Sequence, residues 1–251
     1  MKILAITQAR LSSSRLPEKI LKKVGDNTLL EIHLNRILRS KLISKLIVAT
    51  TNESGIEKVE VIAEKLKVTI YKGSVDNVLK RFYEAALPFN PDLIVRLTSD
   101  CPLIDPEVID EMIEFAINSN CDYVSNTMEP TYPDGIDVEV FKFEALKRAF
   151  NEAKLNSEKE HVTPYIWKNS TFMGGSKFTS KCIKNKVDYS KIRLTVDTIE
   201  DFDLIQKLIN IIGPDSAWID YVKVLEKSPQ LSSINNKFKR NEGYEKSIKN
   251  E

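Results

Sequence analysis

Short apolar runs alternate with longer stretches whose apolar positions recur every three or four residues. Residues 3–6 (ILAI), 45–50 (KLIVAT), 68–71 and 92–97 (DLIVRL) read as buried strands. Between them lie helical patterns. Residues 28–42 carry Leu30, Leu34, Ile37 and Leu38 as one stripe. Helices at 56–66 and 76–87 follow, with Asp76 placed to cap the second. The helix at 106–118 opens with a proline in its first turn. Strands are expected at 122–126 and 136–141 around a Pro/Gly turn, and helices at 143–153 and 158–168. Pro164 should bend or restart the latter. A strand at 192–196, a helix from Asp197 or Thr198 to Ile212 and a helix at 215–226 complete the pattern. Strands alternating with helices predict an α/β fold: an open, mostly parallel sheet flanked by helices, with right-handed crossovers. We expect one domain over 1–228 and a polar tail over 229–251. The tail's Leu231, Ile234, Phe238, Tyr244 and Ile248 are too sparse for a core. They would dock on the same domain or on a second subunit.

The first strand runs straight into ITQARLSSSRLPEKIL, residues 6–21. Three cations, Arg10, Arg15 and Lys19, stand there among the hydroxyls of Ser12, Ser13 and Ser14, and Pro17 stiffens the middle. Open α/β sheets bind ligands at the carboxyl ends of their strands. Fixed cations, hydroxyls and loop N–H groups suit a chain of phosphates. A solvated basic loop is the plain alternative. The chain has neither G-x-x-x-x-G-K-[ST] nor G-x-G-x-x-G, and no glycine between Met1 and Val24. Phosphate would be held by side chains, as suits a nucleotide used as substrate.

Composition narrows the classes. The 251 residues are 42% hydrophobic and 29% charged, which is ordinary for a globular chain with a sizeable core. Thirty-seven Lys and Arg against 36 Asp and Glu leave a net charge of +1, no footprint for nucleic acid. Cys101, Cys121 and Cys182 lack metal-type spacing and suit free thiols in a reducing compartment. No apolar run approaches the ~20 residues of a bilayer span. We expect a cytoplasmic protein without membrane insertion.

Five clusters carry candidate chemistry. In Arg96-Leu97-Thr98-Ser99-Asp100 the aspartate ends a strand beside the phosphate loop, placed to hold Mg²⁺ or to cap a turn. Arg193-Leu194-Thr195-Val196-Asp197 repeats the arrangement. Asp197 is a second metal ligand, an N-cap with Glu200 at capping-box spacing, or both, since a cap can also offer an oxygen to metal. In Pro133–Val140, alternation puts Asp137 and Glu139 on one strand face, for an acceptor or for solvent. Asp134 leads the turn. His161 lies in the polar cluster EHVTPY, whereas His33 lies in an amphipathic helix and reads as a surface residue. Gly73–Arg81, with Ser74 and Arg81, is a turn into a helix suited to a base or ribose edge.

QARLSSSRLPEKIL, GSVDNVLKRFYEAA, RLTSDCPLIDPEVID, PDGIDVEVF, EKEHVTPYIWKN, RLTVDTIEDF and RNEGYEKS together resemble the cytidylyltransferase family typified by spore-coat polysaccharide biosynthesis proteins. These are relatives of the enzymes that make CMP-octulosonate and CMP-sialate. The resemblance covers essentially the whole chain, in order. It implies a nucleotide-diphospho-sugar transferase, Rossmann-like fold. It implies Mg²⁺-dependent transfer of CMP from CTP to a small acidic or phosphorylated acceptor with release of pyrophosphate, and a homodimer. By matching motif, Arg10, Ser14, Arg15 and Lys19 fall to the triphosphate, and we expect Ser74, Arg81 and Arg96 to serve the nucleotide as well. Arg15, Lys19 and Asp100 fall to catalysis, Asp100 and Asp197 to Mg²⁺, and Asp134, Asp137, Glu139 and His161 to the acceptor. The run SDCPLI, where octulosonate enzymes carry a GDEP type, bears on the acceptor more than on the chemistry. Two other classes are a glycosyltransferase on this fold and a non-catalytic nucleotide-binding subunit.

Overall fold

The computed structural model describes residues 1–13, 15–249 and 251. Nine strands run in chain order: β1 Ile3–Gln8, β2 Lys23–Val24, β3 Asn27–Thr28, β4 Lys45–Thr50, β5 Thr69–Lys72, β6 Leu93–Thr98, β7 Tyr123–Ser125, β8 Glu139–Lys142 and β9 Ser180–Cys182. The helices are α1 Leu29–Ile37, α2 Glu57–Lys65, α3 Val78–Ala86, α4 Pro106–Ser119, α5 Phe143–Glu152, α6 Asn156–His161, α7 Pro164–Lys168, α8 Ile199–Ile212, α9 Trp218–Lys227, α10 Pro229–Ser232 and α11 Glu242–Lys249. Seven strands form one sheet in the order β5-β4-β1-β6-β8-β7-β9, and β2-β3 pair apart. Only β8 runs against its neighbours in that sheet. The chain leaves β1 outward through β4 to β5 and returns on the far side of β1 as β6. The order therefore reverses between β1 and β6, where such sheets open a crevice.

Alternation along the strands builds two cores. Ala5, Val48, Val95 and Val140 face α1, α2, α4, α8 and α9. Ile6, Ala49, Ile94 and Phe141 face α3, α5 and α7. Both faces are covered, as a mostly parallel sheet requires.

Several elements differ from the sequence expectation. The first helix ends at Ile37, because Asp110 of α4 accepts from Lys41 and Leu42 N–H and holds 40–42 in a turn. Asn77, not Asp76, caps α3, its side chain accepting from Lys80 N at 2.8 Å. Pro164 restarts the helix as expected, after Val162 at φ 71°. Residues 192–196 form no strand. They run extended and buried across the strand ends with a single bridge, Asp134 to Arg193. Their N–H groups bond the carbonyls of Asp134 and Asp100 in place of a ladder. Thr198, not Asp197, caps α8, and Asp201 completes the capping box. His33 is fully buried rather than exposed. Its Nδ1 bonds the Cys101 carbonyl at 2.9 Å and its Nε2 bonds Thr7 Oγ1 at 2.9 Å. A carbonyl only accepts, so Nδ1 carries the proton and Nε2 accepts from the hydroxyl.

Candidate active site

A cleft of about 830 Å³ opens at the carboxyl ends of β1 and β6. The loop leaving β1 is pinned by its apolar residues: Ala9, Leu11, Leu16 and Ile20 are all buried. That anchoring sets Arg10, Arg15 and Lys19 along one wall of the cleft. Lys19 Nζ lies 2.9 Å from Asp100 Oδ2 and 2.8 Å from Asp197 Oδ1. Burial works against the ammonium, yet the two carboxylates hold its pKa above the ordinary value. Desolvation works against ionising the half-buried Asp100, but Lys19 holds its carboxyl well below the usual carboxylate range. Arg15 Nη2 adds a 3.0 Å contact to Asp197 Oδ1. Among the described residues no group of three or more His, Cys, Asp or Glu stands at metal-ligand spacing. Two hard carboxylate oxygens nevertheless converge on one cation, the Lys19 ammonium. That donor set fits Mg²⁺, which commonly takes one or two carboxylates and completes its shell with phosphate and water.

Arg81 is almost fully buried and lines the same cleft. Its Nη1 donates to the Ser74 carbonyl at 2.5 Å, and its Nε has no partner among the described residues. Burial pulls its pKa down to about 10. A nearly buried cation beside a cleft suits an anionic ligand. Ser74 lies outside the lining, and its hydroxyl accepts from Asn77 N at 3.1 Å.

The acidic segment 134–139 is clasped at both ends by arginine. Arg193 reaches Asp134 at 2.6 Å, Asp197 at 2.9 Å and Asp201 at 2.9 and 3.1 Å. Arg96 pairs with Glu139, which also accepts from Tyr123 and Thr163 hydroxyls. Gly135 permits the tight approach: at φ 109°, a Cβ would lie 2.6 Å from the backbone of Leu194. Asp134 and Glu139 are thus occupied within the domain. Asp137 instead pairs with Arg240 from the tail. Burial pushes Asp137 up to about 7, against the pull of Arg240.

The tail lies across the opening. Residues from Lys239 to Ser247 line the cleft beside His161 and Trp167. His161 Nε2 bonds Ser247 Oγ at 3.0 Å, and its ring meets Tyr244 edge-on at 5.1 Å. Burial, with Arg96 nearby, brings His161 down to about 4.

The structure gathers Arg10, Arg15, Lys19, Arg81, Arg96, Asp100, Asp134, Asp137, Glu139, His161 and Asp197 around one cleft, and Ser74 beside it. Ser14 lies outside the described residues. The capping alternative for Asp197 falls away, since Thr198 holds that position. Arg193 and the tail residues Arg240, Glu242, Tyr244 and Ser247 were not singled out as site residues. The repeated string R-L-T-x-D at 96–100 and 193–197 was the available signal for Arg193. Each arginine of the pair grips one end of the same acidic segment.

The cytidylyltransferase family model matches residues 4–237. The chain is 32% identical over 238 residues to the spore coat polysaccharide biosynthesis protein SpsF of Bacillus subtilis, covering 92% of this chain and 97% of that one. It is similar to the solved structure of a cytidylyltransferase from Leptospira borgpetersenii, with a TM-score of 0.86 and 35% identity over 92% of this chain and 97% of that one. A CMP:2-keto-3-deoxy-manno-octonic acid synthetase complexed with CTP shares the fold, with a TM-score of 0.63 and 14% identity over 84% and 99% of the two chains.

Proposed function

This chain belongs to the cytidylyltransferase family and is a nucleotidyltransferase, and we propose that it transfers CMP from CTP to a small acidic or phosphorylated sugar with release of pyrophosphate. The observation that carries this reading is the cleft wall where Arg15 and Lys19 pair with Asp100 and Asp197, with Arg10 and Arg81 lining the same cleft. An acceptor oxygen attacks the α-phosphorus while the bond to the bridging oxygen of the β-phosphate breaks. Such transfer asks mainly for positioning and charge stabilisation. Arg10 and Arg81 orient the phosphates. Arg15 and Lys19 exchange their carboxylate partners for phosphate oxygens and neutralise the leaving pyrophosphate. Asp100 and Asp197 would hold Mg²⁺, which when bound supplies a Lewis acid to phosphate oxygens. The 134–139 segment and His161 form the acceptor side. A hydroxyl acceptor also sheds a proton, which leaves to water. Sugar acceptors of this kind are the business of the octonic acid synthetase that shares the fold.

The test is a pyrophosphate-release assay with the four nucleoside triphosphates against acidic sugars, beginning with 3-deoxy-manno-octulosonate, and against sugar phosphates. Turnover should require CTP and Mg²⁺. Asp100→Asn and Asp197→Asn should each lower it by about a hundredfold or more, roughly 3 kcal/mol of transition-state stabilisation. Nucleoside diphosphate release from a nucleotide-sugar, without pyrophosphate, would sink the proposal in favour of a glycosyltransferase.

A further inference from the structure

The C-terminal segment touches working groups on both sides of the cleft. Glu242 Oε2 lies 3.4 Å from Arg15 Nη1, and Arg240 pairs with Asp137. The other Glu242 oxygen accepts from Lys239 N–H at 3.1 Å, so the carboxylate is fixed at the start of α11 rather than swinging on a free arm. Tyr244 then packs against His161 and Trp167, and Ser247 joins Glu160 to His161. Arg15 thereby divides its guanidinium between Asp197 and Glu242. Carboxylate and phosphate are interchangeable partners for such a fork. A triphosphate drawn to Arg15 would bring several negative charges against Glu242.

We propose that Glu242 sets nucleotide affinity by competing with the triphosphate for Arg15, so that nucleotide binding displaces residues 239–249 from the cleft. The proposal rests on the CTP-binding reading above. Arg240 stands two positions before Glu242, so displacement also pulls on its pairing with Asp137. Nucleotide arrival thus uncovers the acceptor side, and the nucleotide binds first.

Calorimetric titration of CTP with Mg²⁺ into the full-length wild type and Glu242→Gln, beside hydrogen exchange over 239–249, tests this. The pair is partly exposed, so Glu242→Gln should bind CTP about two- to fivefold more tightly at low salt. That gain should shrink at high salt. In the wild type, amides 239–249 should exchange faster once CTP is bound. If the wild type binds CTP while Glu242→Gln binds no tighter, the competition is wrong and the nucleotide reading stands. Unchanged or slower exchange of 239–249 on CTP binding also overturns it. A wild type that does not bind CTP at all overturns both.

Discussion

His33 has no exposed surface, and its ring ties α1 to β1 and to the turn that carries Asp100. Burial depresses its pKa to about 4, with Arg36 adding to the effect and Asp100 opposing it. The unfolded chain takes up this proton near pH 6.5, and the folded chain resists until about 4. Stability is therefore full above pH 6.5 and falls as pH drops towards 4. At pH 5 the loss from this residue is about 2 kcal/mol, or about 4–8 °C in melting temperature. His161 acts in the same direction. His33→Gln should flatten the melting-temperature profile between pH 7.5 and 5 by about that amount, and an unchanged profile would place the acid sensitivity elsewhere. The sequence could not show this burial. Helical periodicity locates the apolar stripe, but a polar residue on the flank is buried only if a neighbour supplies partners, and those lie in β1 and after β6. Asp100 and Asp197 were legible for the opposite reason, because each closes a string R-L-T-x-D that ends a largely apolar stretch.

At the scale of elements, residues 192–197 contradict their own pattern. Leu194 and Val196 are buried as strand alternation requires, yet the segment pairs with loops. Its organiser is Arg193, a charge that apolar periodicity treats as an interruption. Arg193→Met would leave Asp201 and Asp134 buried without their main partner. Removing one member of such a buried network costs about 3–5 kcal/mol. The variant should therefore melt about 10 °C lower or more, by calorimetry. A loss under a few degrees would mean that Asn235, which also donates to Asp201, holds the site unaided. The four sheet strands and four α-helices of the first 120 residues were legible because each buries a periodic face, whereas the two-residue strands β2 and β3 carry no such period. The cap of α3 and the course of 192–197 depend on side chains meeting across the sheet, which local spacing does not encode.

At the scale of the molecule, the tail is the part that sequence reading left most open. Its aromatics are spent on the chain's own cleft, with Tyr244 against His161 and Trp167. Deleting residues 237–251 should leave the core intact, since Asn235 is retained. Because residues 239–249 compete with the nucleotide, turnover at saturating CTP should not fall, and the KM for CTP should drop about two- to fivefold. Mass in solution, by light scattering, should not change. An unchanged mass places any contact between copies on other surfaces, and a tail-deleted monomer from a dimeric parent assigns it to the tail.

The two-ended clasp on residues 134–139 also bears on how such a protein diversifies. Asp134 and Glu139 are committed to holding the segment in place, and Val138 is buried in the core. Asp137 alone among the segment's acids is gripped by the C-terminal segment, through Arg240. A lineage can therefore alter position 137 and its partner together without loosening the scaffold. Divergence in the molecule accepted would be written at that pair while the arginine anchors persist.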